Sequence, residues 1–81
     1  MDKRVASISI IVEDTAGAAK INELLHTVAP YIVGRMGIPY REKNISIINV
    51  VMDAPQDIIN GVSGRLGKLD GVTAKTTYAK R

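Results

Sequence analysis

Residues 45–52, with the sequence Ile-Ser-Ile-Ile-Asn-Val-Val-Met, form the strongest β-strand signal in this chain of 81 residues. Successive side chains of a strand point to opposite faces of its sheet, and both alternating sets here are rich in apolar residues. One set is Ile45, Ile47, Asn49 and Val51, and the other is Ser46, Ile48, Val50 and Met52. We therefore expect a strand that presents large apolar side chains on both faces.

The chain before this strand, from residue 5 to about residue 42, has the order strand, helix, strand. The helix has one apolar stripe, made of Ile21, Leu24, Leu25, Val28 and Ile32. Because Pro30 lies within this pattern, we expect a kink or an end of the helix near Ala29. The following strand, Gly34 to Glu42, contains Pro39, which cannot donate to a strand ladder. We therefore place this strand at an edge of the sheet.

The chain from residue 45 to residue 78 repeats this order. The segment Asp53-Ala54-Pro55-Gln56 is expected to open the second helix, with the proline in its first turn. The apolar stripe of this helix is Ile58, Ile59, Val62, Leu66 and Leu69. The turn at Asp70-Gly71 leads into the last strand, Val72 to Ala79.

The order βαββαβ with short connections predicts an α+β fold, the ferredoxin-like sandwich. This fold has an antiparallel four-stranded sheet with two helices on one face. A chain of this length forms one domain, residues 1–81.

The second face of such a sheet is open, and either orientation of residues 45–52 leaves three large apolar side chains on it. Ile11 is expected to join them. Burying such a patch is worth several kcal/mol at about 25 cal/mol per Å2. We therefore expect a homo-oligomer, a dimer or a tetramer, that assembles through the edge strands and the open sheet face.

The composition argues against several classes of function. The chain has no cysteine and one histidine, His26, so we expect neither a metal site nor a cofactor. No nucleophile–base pair can be assembled, which argues against an enzyme. The open sheet face lacks the aromatic residues that stack bases, which argues against direct nucleic-acid binding. No apolar stretch approaches the roughly 18 residues of a membrane span, and no signal peptide is visible, so a cytoplasmic location is expected.

Gly61, Gly64 and Gly67 recur every third residue in the second helix. Their spacing does not fit a phosphate-binding loop, and Leu69 stands where such a loop has Ser or Thr. Each glycine costs a helix up to about 1 kcal/mol relative to alanine. We therefore expect them to allow a close approach to the sheet or to the other helix.

The segment Asp14-Thr15-Ala16-Gly17-Ala18-Ala19-Lys20-Ile21 resembles the signature of ACT regulatory domains, which it matches at Asp14, Gly17 and Ile21. In ACT domains this glycine lets a small effector approach the loop backbone at a subunit interface. The resemblance implies an effector site with two groups of candidate residues. The loop group is Glu13, Asp14, Thr15, Ala16 and Gly17, and the strand group is Arg35, Tyr40 and Arg41.

A second resemblance covers essentially the whole chain. It rests on residues 34–42 (Gly-Arg-Met-Gly-Ile-Pro-Tyr-Arg-Glu), 45–48 (Ile-Ser-Ile-Ile) and 63–67 (Ser-Gly-Arg-Leu-Gly), and on Gly71-Val72. These segments resemble a family of small stand-alone proteins named as regulators of the iron-only hydrogenase system, a name based on genomic association. Their fold is similar to ACT domains and to the effector domain of nickel-responsive repressors, whose nickel-binding residues are not matched here.

Two functions remain open at this point. One is an ACT-like regulatory module that binds a small effector, with any effect on transcription requiring a DNA-binding partner. The other is a protein–protein interaction or assembly module that binds no ligand.

Overall fold

The computed structural model describes residues 2–13 and 17–80 of the chain, and these form the expected βαββαβ order. The elements are β1 (Lys3–Val12), α1 (Gly17–His26), β2 (Ile32–Tyr40), β3 (Ile45–Pro55), α2 (Gln56–Gly67) and β4 (Val72–Tyr78). Short 3-10 turns lie at Ala29–Tyr31 and Arg41–Lys43. The strand order in the sheet is β2-β3-β1-β4, and neighbouring strands are antiparallel. The predicted ferredoxin-like sandwich is confirmed, and so is the edge position of β2.

The core lies between one face of the sheet and the two helices. Every second residue of β1 and of β3 points into it, as strand alternation requires. The buried residues are Ala6, Ile8, Ile10 and Val12 from β1, Ile48, Val50, Met52 and Ala54 from β3, and Ile21, Leu25, Val28, Ile59, Val62 and Leu66 from α1, α2 and the turn after α1. No polar or charged side chain is buried among the described residues. None of the described helices is long and apolar enough to cross a membrane.

The predicted start of the second helix is wrong. We expected it to open at Asp53 with Pro55 in its first turn, but β3 continues to Pro55 and α2 begins at Gln56. Pro55 has an extended conformation, with φ −57° and ψ 147°, and it lies opposite Lys3 in the ladder. The reason is burial, because Ala54 continues the inward-facing set of β3 and is completely buried.

The end of the first helix differs from the apolar pattern in a smaller way. Regular α-helix ends at His26, and Pro30 lies in the 3-10 turn that follows. Ile32, which we had placed on the helical stripe, is the first residue of β2. Proline removes a backbone donor and so favours such a short turn over a further α-helical turn.

The expectation that the glycines of α2 allow close packing is also wrong for the described part of the chain. A β-carbon placed on Gly61, Gly64 or Gly67 has no described atom within 4 Å. Gly71 is different, because its φ of 72° lies in the left-handed region that glycine tolerates best. Its carbonyl oxygen accepts a 2.7 Å hydrogen bond from the Glu13 backbone N–H.

Candidate functional site

The helix side of the molecule has a groove between α1 and β2, because the helices leave this edge strand exposed along most of its length. We call it the α1–β2 groove. It consists of two adjoining clefts of about 270 and 250 Å3, and Asn22 and Arg35 line both. The first cleft also contacts Ala18, Gly37, Pro39 and Ser46, and the second also contacts His26, Ala29 and Ile32.

One hydrogen bond spans this groove. The Arg35 Nη2 donates to Asn22 Oδ1 over 2.9 Å, which links β2 to α1. A guanidinium has five N–H donors, and this bond uses one of them. The planar arrangement of the donors suits a carboxylate or a phosphate. Arg35 is therefore held at the mouth of the groove in a position from which it can contact an anion.

Local sequence explains why the groove exists. After Arg35, the residues of β2 on the helix side are Gly37 and Pro39, which do not fill the space beside α1. No described atom lies within 4 Å of a β-carbon placed on Gly37. On α1, Asn22 follows the buried Ile21 by one position, which places it on the helix flank beside the core. An apolar floor with polar residues at the rim is typical of small-molecule sites.

Two loop residues from the ACT resemblance, Glu13 and Gly17, lie beside the turn before β4 and line neither cleft of the groove. Because β4 and β2 are opposite edges of the sheet, the structure does not bring these residues together with Arg35. The backbone of Glu13 is tied to the turn before β4 by its bond to Gly71. Gly17 is the first residue of α1, next to Ala18 in the groove wall. A β-carbon on Gly17 would lie 3.5 Å from Val72 Cγ2, an ordinary contact distance. Asp14, Thr15 and Ala16 lie outside the described residues.

The three strand candidates do not share one surface. Arg35 lies opposite Val50 on the helix side of the sheet, whereas Tyr40 lies opposite Ile45 on the other side. The hydroxyl of Tyr40 donates to Glu42 Oε2 over 3.3 Å. Arg41 belongs to the 3-10 turn after β2 and does not line either cleft. Only Arg35 of these three reaches the groove.

Sequence reasoning missed Asn22 and Ser46. Strand alternation would have found Ser46, since it shares a face with the core residues Ile48 and Val50. Asn22 carries a weaker signal, because its only distinguishing feature is that it follows Ile21, the first residue of the apolar stripe. Within the described ranges, no group of three or more His, Cys, Asp and Glu side chains is arranged to hold a metal ion.

Comparison with known proteins supports the second resemblance, which covers most of the chain. The family model "TM1266-like: Iron-only hydrogenase system regulator, putative" matches residues 4–76. The solved structure of the uncharacterized protein TM1266 from Thermotoga maritima has 38% sequence identity and a TM-score of 0.93. That match covers 98% of this chain and 100% of the Thermotoga chain. No curated protein matches the sequence.

More distant structures share the fold alone. The ACT domain of GTP pyrophosphokinase from Chlorobium tepidum is 20% identical, with a TM-score of 0.71 and coverage of 93% of this chain and 99% of that chain. CPII, a nitrogen regulatory PII-like protein from Thiomonas intermedia K12 solved with ADP, AMP and bicarbonate, is 11% identical. Its TM-score is 0.56, and 94% of each chain is covered.

Proposed function

Because this chain belongs to the TM1266-like family, whose description is that of a regulator of the iron-only hydrogenase system, we propose that it is a regulatory protein that binds a small anionic effector in the α1–β2 groove. We propose further that it acts as a homo-oligomer and that it regulates by binding, without catalysis. The observation that supports the effector most directly is the placement of Arg35, whose guanidinium donates to Asn22 across the groove.

The chemistry of the groove narrows the class of effector. Arg35 supplies N–H donors for a carboxylate or phosphate, and Ser46 supplies a hydroxyl that both donates and accepts. The clefts are open and of about 270 and 250 Å3, a size that suits an amino acid, a small carboxylate or a nucleotide phosphate. The ligands printed for CPII are a reason to include ADP, AMP and bicarbonate among the probes.

A thermal shift experiment tests this proposal. A ligand that binds only the native state raises the free energy of unfolding by about 2.7 kcal/mol at 100 times its dissociation constant. We expect one of the probe anions (amino acids, ADP, AMP, bicarbonate or inorganic phosphate) to raise the melting temperature. We expect Arg35→Gln to abolish that rise, because it removes the positive charge that would contact the anion. The variant should fold as the wild type does, since the side chain is exposed and lies outside the core.

Arg41→Gln is the matched control, since it removes the same charge from a residue outside the groove. This variant should respond to the probe as the wild type does. If Arg41→Gln loses the response and Arg35→Gln keeps it, the effector binds elsewhere and the assignment to the groove is wrong.

The second candidate function is an assembly module without a ligand. It is favoured by the exposed apolar side chains on the open face of the sheet, among them Met36 and Ile38. Under this alternative no probe anion changes the melting temperature, while the protein remains oligomeric.

A further inference from the structure

The two faces of β2 have the opposite polarity to those of the middle of β1, the second strand along in the sheet. On β1 the helix side carries apolar residues such as Ile8 and Ile10, and the open side carries Ser7 and Ser9. On β2 the helix side carries Arg35, Gly37 and Pro39, whereas Met36, Ile38 and Tyr40 lie on the open side. Large apolar side chains on the open face stabilise the protein only if another surface covers that face and removes them from water.

These β2 residues continue into a larger apolar patch on the open face of the sheet. The apolar patch consists of Ile11 from β1, Met36, Ile38 and Tyr40 from β2, and Ile45, Ile47 and Val51 from β3. Met36 is 55% exposed, Ile38 44% and Val51 36%. Contiguous apolar surface of more than a few hundred Å2 on a soluble protein marks an interaction site. The β4 strip of the same face is polar, with Thr73, Lys75 and Thr77.

We propose that a second copy of this chain covers the apolar patch, and that the two sheets pack face to face about a two-fold axis crossing the strands at the level of Asn49. This inference rests on the homo-oligomeric part of the proposed function and is independent of the effector. In this arrangement each strand lies over its own copy, and the side-chain amide of Asn49 meets the amide of the partner subunit's Asn49.

The size of the open face fits a dimer interface. Four strands spaced about 4.8 Å apart and about 30 Å long give a footprint on the order of 600 Å2. The accessible surface is larger than this projection, because side chains make the face uneven. A standard interface buries about 800 Å2 on each partner, so one open face against another supplies the area that a stable dimer needs.

The central residues around Asn49 fit their own copy, whereas the rim of the face fits less well. On the outer strand β4 the axis places Lys75 over the partner's Lys75, and at the ends of β3 it places Ile45 over the partner's Asp53. Ile47 and Val51 lie two positions before and after Asn49 on β3, so the axis brings Ile47 over the partner's Val51. On β2, Ile38 lies beside Ile47 and Gly34 lies beside Val51. The axis therefore places each large Ile38 over the partner's Gly34. Lys3 lies at one end of β1, and Glu13 lies just beyond the other end. The same axis brings Lys3 of one subunit near the partner's Glu13, which has the opposite charge.

Asn49 provides the polar specificity of this contact. It is half-buried in the single chain, between Met36 on β2 and Ser9 on β1. A buried amide without a hydrogen-bond partner costs about 1–3 kcal/mol. An amide carries both donors and an acceptor, so two copies on the axis satisfy each other. A single buried Asn fixes register and oligomeric state in coiled coils by the same principle.

The edges of the sheet are poorer interfaces than its face. Pro39 on the outer strand β2 has no backbone N–H, and a register shift lies between Ile32 and Gly34. Proline and bulges on an edge strand both oppose pairing with another chain. The other edge strand, β4, is polar on the open face, where it carries Lys75 beside the exposed Thr73 and Thr77. This edge therefore offers little apolar surface to a second subunit.

The first test compares two lysine variants by native mass spectrometry and analytical ultracentrifugation. Val51→Lys places a charge in the apolar patch at an already exposed position, so we expect the monomer to fold while the dimer weakens at least about 100-fold. Ala19→Lys places the same charge at an exposed position of α1, on the other side of the sheet, and should leave the oligomer intact. Circular dichroism shows whether both variants keep the wild-type secondary structure.

The second test locates the axis by cross-linking. The chain has no cysteine, so Asn49→Cys and Thr77→Cys each introduce a single thiol. Disulfides bridge packed sheets in β-sandwich domains, and a residue on the two-fold axis meets its own copy. Under mild oxidation we expect Asn49→Cys to form a covalent dimer and Thr77→Cys to remain largely uncross-linked, because the axis brings Thr77 over the partner's Thr73.

The outcomes separate this inference from the function on which it rests. A wild-type monomer at micromolar concentration overturns both the dimer and the homo-oligomeric part of the proposed function. A wild-type oligomer that survives Val51→Lys, or in which Asn49→Cys fails to cross-link, overturns only the face-to-face arrangement. The effector response of Arg35 is a separate result, since that residue lies on the other side of the sheet.

Discussion

Replacing Gly61 and Gly64 by alanine should stabilise this protein. Both are exposed positions inside α2, where a β-carbon meets no described atom within 4 Å. Glycine inside a helix costs about 0.8–1.0 kcal/mol relative to alanine, mainly through the backbone entropy of the unfolded chain. The double variant Gly61→Ala/Gly64→Ala should therefore gain about 1.5–2 kcal/mol in the free energy of unfolding. For a domain of this size such a gain raises the melting temperature by roughly 10 °C.

The control for this prediction is the same substitution at Gly71. Its φ of 72° is unfavourable for a side chain, so Gly71→Ala should lose about 1–2 kcal/mol. Urea denaturation measures both changes, and sedimentation shows whether the oligomer is retained. If the helix variant is less stable than the wild type, or changes its oligomeric mass, the glycines of α2 contact another subunit. Such a result would refute reasoning from the single chain.

Two further substitutions test the packing of the fold. Ile8→Ala removes a completely buried side chain from the centre of β1. It should lower the free energy of unfolding by about 2–5 kcal/mol, a large part of the stability of so small a domain. Urea denaturation measures this loss. Arg4→Met removes a guanidinium that lies 4.5 Å from the centroid of the Tyr78 ring and donates to the Ala79 carbonyl over 3.3 Å. We expect a loss of about 0.5–1 kcal/mol, and a melting curve that matches the wild type would contradict a stabilising role for this contact.

The architecture could be predicted because its signals are periodic and strong. Residues 45–52 predicted a strand with two apolar faces, and in the structure Val50 and Met52 are buried while Val51 stays exposed on the other side. Boundaries were harder, because proline is compatible with both the end of a strand and the first turn of a helix. At Pro55 the boundary between strand and helix is decided by tertiary structure, namely the burial of Ala54 in the core. A local sequence pattern carries no information about that burial.

The site was less accessible to prediction than the fold. Arg35 and Tyr40 lie five positions apart, an odd number, so strand alternation alone places them on opposite faces. We grouped them as neighbours in sequence and did not apply this rule. Asn22 could not be assigned in the same way, because its contact with Arg35 depends on where α1 crosses the sheet.

The exposure of β2 on both sides connects the two proposals physically. Its helix side supplies Arg35 to the α1–β2 groove, and its open side supplies Met36 and Ile38 to the apolar patch. Adjacent residues of one strand cannot be displaced independently, because the backbone between them has only two soft dihedral angles per residue. An anion that fixes Arg35 therefore also restricts the strand that carries the patch. If such restriction favours the dimer, linkage requires dimerisation to raise the affinity for the anion by the same factor. A regulator built on this strand needs no second domain to connect effector binding with assembly.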